Sequence, residues 1–296
     1  VTGERKATLE QLTTVNSVRF RLREARAGGG TVGFVPTMGA LHEGHLALIR
    51  RARVENETVV VSVFVNPTQF NDKKDLAVYP RDLARDAALV EAAGGTLVFA
   101  PDAAEIYPAG FHTSVQPGPL ADVLEGYFRP GHFAGVCTVV AKLFNIVQPD
   151  RAYFGEKDWQ QLKIIARMTT DLNLPIEIVP CPTVREPDNL AMSSRNARLT
   201  PDGRERARVI PYLLDMAQDL LDAASFEQQT DQPAVLKQWL TSLLESHQPT
   251  LKADYIAVVD PETLIEHERI AERALVALAV RVDDVRLIDN RIIVRR

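Results

Sequence analysis

The run Thr58–Val65 (TVVVSVFV) is apolar or β-branched at nearly every position, and it constrains the fold more than any other segment. A strand with one wet face alternates polar and apolar residues. A continuous run belongs in a parallel sheet covered on both faces. Parallel strands need crossover connections, and the flanking sequence supplies them. Thr31–Val35 reads as a strand, and Leu41, His45, Leu48, Ile49 and Ala52 follow at helical spacing. After Asn66-Pro67 ends the apolar run, Pro80–Ala93 reads as a helix, Gly94-Gly95 stops it, and Thr96–Ala100 is a third strand. Phe133–Val147 and Asp158–Leu172 read as helices, Arg151–Phe154 and Ile176–Val179 as strands, and Gly110–Leu124 as loop. The expected fold class is α/β, a doubly wound parallel sheet with right-handed crossovers.

A second, smaller α+β domain is expected at the C-terminal end. Pro180, Pro182 and Pro187 punctuate the chain around Val184-Arg185-Glu186, a composition typical of linkers. The expected domains are therefore residues 1–187 and 188–296. Pro201–Ala223 and Asp231–His247 read as helices, the first with Thr200-Pro201 as cap and first helical residue. Tyr255–Val259, Ala274–Val282 and Val285–Ile288 read as strands.

Composition narrows the partners. A net charge of −5, without a basic run interleaved with aromatics, argues against a nucleic-acid surface. No apolar run reaches the ~18 residues of a membrane span. Val1–Arg26 mixes acids and bases without the apolar stretch of a secretory signal, and Cys137 and Cys181 show no CxxC spacing. A cytoplasmic protein without membrane or nucleic-acid partners is expected.

Pro36-Thr37-Met38-Gly39-Ala40-Leu41-His42-Glu43-Gly44-His45 lies where the first strand gives way to the first helix. Ligands of open α/β sheets bind beyond the carboxyl ends of strands, and the free N–H groups of a helix start favour phosphate. Two histidines three apart at such a start share one side and can donate to phosphate oxygens. The zinc reading is weaker, because H-E-x-x-H needs four-residue spacing. The bland reading makes His45 a packed core residue beside Leu48 and Ile49. Gly28-Gly29-Gly30 has no GK[ST] ending and no GxGxxG occurs, so no second phosphate loop competes.

Met192-Ser193-Ser194-Arg195 alone reads as a common turn; together with the first motif, its hydroxyls and guanidinium can hold the far end of a triphosphate. An HxGH turn followed by a KMSKS-type segment is similar to the nucleotidylyltransferase superfamily. The longer phrases Phe64-Val65-Asn66-Pro67-Thr68-Gln69-Phe70, Tyr153-Phe154-Gly155-Glu156-Lys157-Asp158 and Pro182-Thr183-Val184-Arg185-Glu186 resemble the pantothenate synthetase family. The likeness runs from about Gly33 to Leu199, with fainter similarity in Tyr255–Leu264 and Val285–Asn290. Trp159 departs from the family's more usual Tyr.

The resemblance implies ATP-dependent joining of pantoate to β-alanine through a pantoyl adenylate, by a chain whose doubly wound sheet is a Rossmann-like N-terminal domain and whose smaller C-terminal domain acts as a lid, in a homodimer built through the N-terminal domains. ATP would be held by Met38, Gly39, Ala40, Leu41, His42, Glu43, Gly44 and His45, by Gly155, Glu156, Lys157 and Asp158, and by Val184, Met192, Ser193, Ser194 and Arg195. Catalytic roles would fall to His45, His42, Lys157 and Arg195, with His45 as proton donor. Pantoate would be held by Gln69 and Gln161, with β-alanine later sharing Gln69. Asp86 is implied as a water-bridged contact of Mg²⁺. Arg129 is a basic residue without an assigned role. The bland rival for Asp158 and Gln161 is a capping box, which D-x-x-Q spacing would also satisfy. Two rivals to the whole reading are a nucleotidylyltransferase acting on a phosphorylated acceptor and a nucleotide-binding regulatory module without turnover.

Overall fold

The computed structural model describes residues 9–71, 73–223 and 229–296. The elements follow in chain order as β1 (Glu10–Leu12), α1 (Val15–Ala27), β2 (Val32–Thr37), α2 (Glu43–Glu55), β3 (Thr58–Val63), α3 (Lys73–Val78), α4 (Leu83–Ala92), β4 (Leu97–Phe99), α5 (Ala103–Ile106) and α6 (Glu125–Phe128). Next come α7 (His132–Val147), β5 (Arg151–Gly155), α8 (Trp159–Asp171), β6 (Glu177–Cys181), α9 (Pro201–Ala207), α10 (Val209–Asp222), α11 (Pro233–His247), β7 (Lys252–Val259), β8 (Arg273–Val282) and β9 (Val285–Val294). By contacts the chain divides into two compact units. Residues up to Gly118, Arg129–Glu156 and Ile164–Pro182 form the first; Pro119–Phe128, Lys157–Lys163 and Thr183–Arg296 form the second. Two of the second unit's segments, residues 119–128 and 157–163, lie within the range that the sequence assigned to the first domain.

The first unit is built on a six-stranded parallel sheet in the order β1-β4-β3-β2-β5-β6. Alternate residues of each strand feed opposite faces. Val35, Val59, Val61 and Val98 meet Leu46, Ile49, Ala52 and Val90 of α2 and α4. On the other face the Phe34 and Phe154 rings meet Phe144 of α7 edge-on, at centroid distances of 6.3 and 6.4 Å. Covering both faces explains why β3 reads as unbroken hydrophobicity. The chain leaves β2 toward β3 and β4 but reaches β5 and β6 on the other side, so the strand order reverses between β2 and β5. These two neighbours are paired only at Gly33↔Arg151 and Phe34↔Ala152, whereas β2 and β3 are paired from Val32↔Thr58 to Thr37↔Val63. The crevice at which such sheets bind ligands thus opens toward the carboxyl ends of β2 and β5.

The second unit carries a three-stranded antiparallel sheet, β7-β8-β9. One face is buried by α10 and α11 through Leu213, Leu214, Leu236 and Leu240. Ala257, Leu275 and Ala277 on the other face meet Leu120, Leu124 and Trp159.

Most expected elements appear, and the departures have physical causes. The stretch before Thr31 reads as helix from its sequence; residues 1–8 of it lie outside the described residues, Glu10–Leu12 is a strand on the sheet edge, and α1 begins after it. The helix expected over Pro201–Ala223 breaks at Arg208, because Pro211 has no N–H to offer the Ala207 carbonyl. The last strand, read as ending at Ile288, runs on to Val294, since Asp289-Asn290-Arg291 continues the ladder opposite Leu278, Ala277 and Val276.

Candidate active site

The turn after β2 is held from inside the first unit. Gly39 and Ala40 have φ of +81° and +51°, a left-handed pair that redirects the chain into α2. Asp86, almost fully buried on α4, accepts the Ala40 N–H at 2.8 Å through Oδ2 and the Leu41 N–H at 2.9 Å through Oδ1. A Cβ at position 39 would lie 2.8 Å from that same Oδ2, so the fit requires glycine. The Gly39 N–H donates to Thr37 Oγ1, whose hydroxyl is donated to the Ser62 carbonyl. Both Asp86 carboxylate oxygens thus serve the turn.

His42 is the N-cap of α2, and its N–H points at His45 Nδ1, 3.4 Å away. The two rings are 4.1 Å apart by centroid. With Nδ1 accepting, a neutral His45 carries its proton on Nε2 and presents it as a donor. Glu43 is exposed and forms an ion pair with Arg50; that hydrogen bond holds its carboxyl below the usual range. The Glu43 side chain therefore faces solvent and Arg50, leaving its backbone as the part available to a nucleotide.

Gln69 sits in the 3₁₀ turn Pro67–Gln69 just past β3 and is nearly buried. Asn66 Nδ2 donates to Gln69 Oε1 at 2.9 Å, which fixes the amide so that Nε2 is the group left to donate; it lies 3.2 Å from Met38 Sδ. The turn's backbone is clamped by α7. The His132 ring nitrogen Nδ1 lies 2.8 Å from the Gln69 carbonyl, Arg129 reaches the same oxygen at 3.4 Å, and a Cβ on Gly135 would sit 2.5 Å from the Thr68 carbonyl. Tyr107 donates to Asn66 Oδ1 at 2.8 Å, and burial raises its phenol above the ordinary value against the opposing Thr68 hydrogen bond. Asn66, Tyr107 and His132 were not singled out from sequence. Asn66-Pro67 read only as a strand terminator, and the other two sit far along the chain from Gln69.

The remaining candidates belong to the second unit, apart from Gly155, which ends β5 in the first, and Glu156, which opens the 3₁₀ turn after it. Lys157 and Asp158 lie in a single 3₁₀ turn, with Lys157 Nζ 3.7 Å from Asp158 Oδ1. Gln161 follows, half-buried, on the first turn of α8. Val184 and Met192 face each other across a small hairpin, the Met192 N–H donating to the Val184 carbonyl at 2.9 Å. Ser193 caps the next turn by accepting the Arg195 N–H, so Met192–Arg195 forms a compact polar corner. Burial pushes Cys137 up to about 12 and Cys181 up to about 11, so both are neutral thiols near pH 7 and poor nucleophiles.

A parallel sheet whose strand order reverses beside an HxGH turn defines the class of α/β proteins with a ligand crevice at the carboxyl ends of their strands. The comparisons then name the family. The profile of the pantoate-beta-alanine ligase family matches residues 10–292. A pantothenate synthetase from Roseiflexus sp. (strain RS-1) is 54% identical over 270 residues, covering 91% of this chain and 95% of that protein. The crystal structure of pantothenate synthetase from Thermus thermophilus superposes with a TM-score of 0.87 at 48% identity, covering 96% of this chain and 99% of the other. That of the Francisella tularensis pantoate-beta-alanine ligase, complexed with beta-gamma ATP and beta-alanine, gives 0.77 at 36% identity and covers 96% and 97%. The chain belongs to the pantoate-beta-alanine ligase family.

Proposed function

We propose that this chain joins pantoate to β-alanine in two steps, with pantoyl adenylate formed and consumed in one site. The overall reaction, ATP-dependent formation of pantothenate, is that of its family. The observation that carries the two-step reading is the pairing of an anion-seeking helix start, His42 to His45, with a buried Gln69 amide whose Nε2 donates one N–H to Met38 Sδ and has a second to offer an acid. Pantoate's carboxylate oxygen attacks the α-phosphorus of ATP, and the bond from that phosphorus to the β-phosphate bridging oxygen breaks, releasing pyrophosphate. The β-alanine nitrogen then attacks the acyl carbon, its bond to the AMP oxygen breaks, and the amine loses a proton.

In this reading Met38 to His45, Gly155 to Asp158, Val184 and Met192 to Arg195 bind ATP. His45 Nε2 donates to the phosphates as pyrophosphate leaves, and His42, Lys157 and Arg195 offset the charge that develops there. Gln69 and Gln161 hold pantoate, and Gln69 later helps to hold β-alanine. Mg²⁺ arrives with the nucleotide. Among the described residues no group of three His, Cys, Asp or Glu could cage a metal, and Asp86 is committed to the turn. That suits an ion carried mainly by phosphates and water. Closure of the second unit over the first would keep water from the adenylate. A homodimer working in the cytoplasm completes the proposal. No helix among the described residues is long and apolar enough to cross a membrane.

The test is exchange of labelled pyrophosphate into ATP with pantoate but without β-alanine. Exchange is expected, and adding β-alanine should release AMP and pantothenate together. Appearance of ADP, or exchange that requires β-alanine, overturns the adenylate route.

A further inference from the structure

Two adjacent residues of β9, Asp289 and Asn290, are buried although both are polar. Being consecutive on a strand, they serve opposite faces of the β7-β8-β9 sheet. Asp289 lies on the face covered by α10 and α11, next to Leu190 and Leu287. It receives both arms of Arg185, at 2.7 Å to Oδ2 and 3.1 Å to Oδ1, and its own backbone neighbour's N–H at 2.8 Å. Arg185 is the foot of the hairpin that ends in Met192–Arg195, bridged to Ala191 and donating to the Asn189 carbonyl. Asn290 serves the other face, where Trp159 packs, and donates Nδ2 to the Lys157 carbonyl at 2.8 Å.

One dipeptide therefore holds both segments that carry cationic phosphate candidates in this unit, one through the Lys157 carbonyl and the other through the Arg185 guanidinium. Other braces serve one segment each. Arg204 pairs with Glu186 and Asp188, and Asn196 bonds Glu186 and the Ala191 carbonyl on the hairpin side. Trp159 Nε1 donates to the Pro261 carbonyl, and Lys163 pairs with Glu262 on the other. β9 joins the two sides through adjacent residues, and a strand fixed in a paired ladder is a rigid spacer.

We infer that Asp289 and Asn290 are positioning residues for adenylation, holding Lys157 and the Met192–Arg195 corner at a fixed separation that matches the triphosphate. This rests on the proposed phosphate roles of Lys157 and Arg195. A small displacement of a charged group at a phosphate costs rate without removing the group, so the effect should run through ATP and spare pantoate.

The experiment measures pyrophosphate exchange and thermal melting in two double-mutant cycles on the full chain, Asn290→Ala with Lys157→Ala and Asp289→Asn with Arg195→Ala. Asn290→Ala and Asp289→Asn should each lower kcat/KM for ATP about 10-fold with the pantoate KM unchanged. In the Lys157→Ala and Arg195→Ala backgrounds, respectively, each should add less than about 2-fold, because the group being positioned is gone. Equal factors in both backgrounds, or a pantoate KM that rises as much as that for ATP, would show general damage and overturn the inference. Lys157→Ala and Arg195→Ala variants as fast as the parent would fail the phosphate reading itself, and the brace with it.

Discussion

Replacing Asp86 with alanine should damage both stability and adenylation, because this one carboxylate holds the turn that presents His42 and His45. The structure gives it two backbone donors, Ala40 N at 2.8 Å and Leu41 N at 2.9 Å, in a site where its side chain is 1% exposed. Hydrogen bonds to a charged acceptor contribute about 1.5–3 kcal/mol each, and buried donors left without a partner add to the loss. Water entering the vacated space offsets part of this, so about 3 kcal/mol is expected. Arg85, 3.6 Å away but more than half exposed, contributes little. For a unit of this size, that loss lowers the melting temperature by roughly 6–12 °C. Asp86→Asn keeps one accepting oxygen and turns an amide N–H toward the other donor, so it should fall about midway. The left-handed turn at Gly39-Ala40 would then relax, and an ångström of drift at a reacting phosphate costs about 10²-fold in rate. Thermal melts and pyrophosphate exchange across a Mg²⁺ series measure both effects. A variant that melts with the parent and regains full exchange at high Mg²⁺ would place Asp86 on the metal and refute the turn-holding role.

Gln161→Ala should raise the pantoate KM about 10-fold with the ATP KM and the melt unchanged, as expected for one lost hydrogen bond to an anion; parallel losses in ATP affinity and stability would return Gln161 to a capping role. The second unit should also weaken in acid. Burial alone would raise Asp254, but hydrogen bonds from Arg286 and Arg281 outweigh it and hold the carboxyl below its ordinary range. Because the folded value is the lower one, Asp254's contribution is complete above the unfolded value of about 3.9 and is lost as the pH falls below it. Asp254→Asn should flatten the fall in melting temperature over that window, and an unchanged slope would mean that other carboxylates control acid unfolding.

The parallel sheet was legible because its cause is local. Val59, Val60 and Val61 are all fully buried, and only a strand covered on both faces makes a continuous run of that kind. The HxGH turn was legible for a related reason, since Gly39 and the two histidines are consecutive features of one turn. Edge and short elements were not. Glu10–Leu12 has three residues, too few to show a period, and it is a strand because β4 offers it an edge. The tail of β9 was hidden because Asp289, Asn290 and Arg291 break the apolar pattern, and their polarity is explained only by partners at Arg185, Lys157 and Asp215.

The same limit explains which parts of the site stayed out of view. Sequence motifs report the groups that face a ligand, since those are grouped along a turn; the groups that aim them are grouped only in space. Asn66 sets the amide of Gln69 from three residues away, but Tyr107 acts on Asn66 across 41 positions and His132 on Gln69 across 63. The division between units behaves likewise. In the phrase Gly155-Glu156-Lys157-Asp158, reading as one motif, contacts cut between Glu156 and Lys157, because Lys157 is tied to Asn290 and Trp159 to Pro261. A glutamate that opens a 3₁₀ turn in one unit is therefore joined by a single peptide bond to a lysine that belongs to the other. Lys157, Gln161 and Met192–Arg195 belong to the second unit, whereas the two histidines and Gln69 belong to the first, so residues that the sequence groups by resemblance are divided between two separately packed cores.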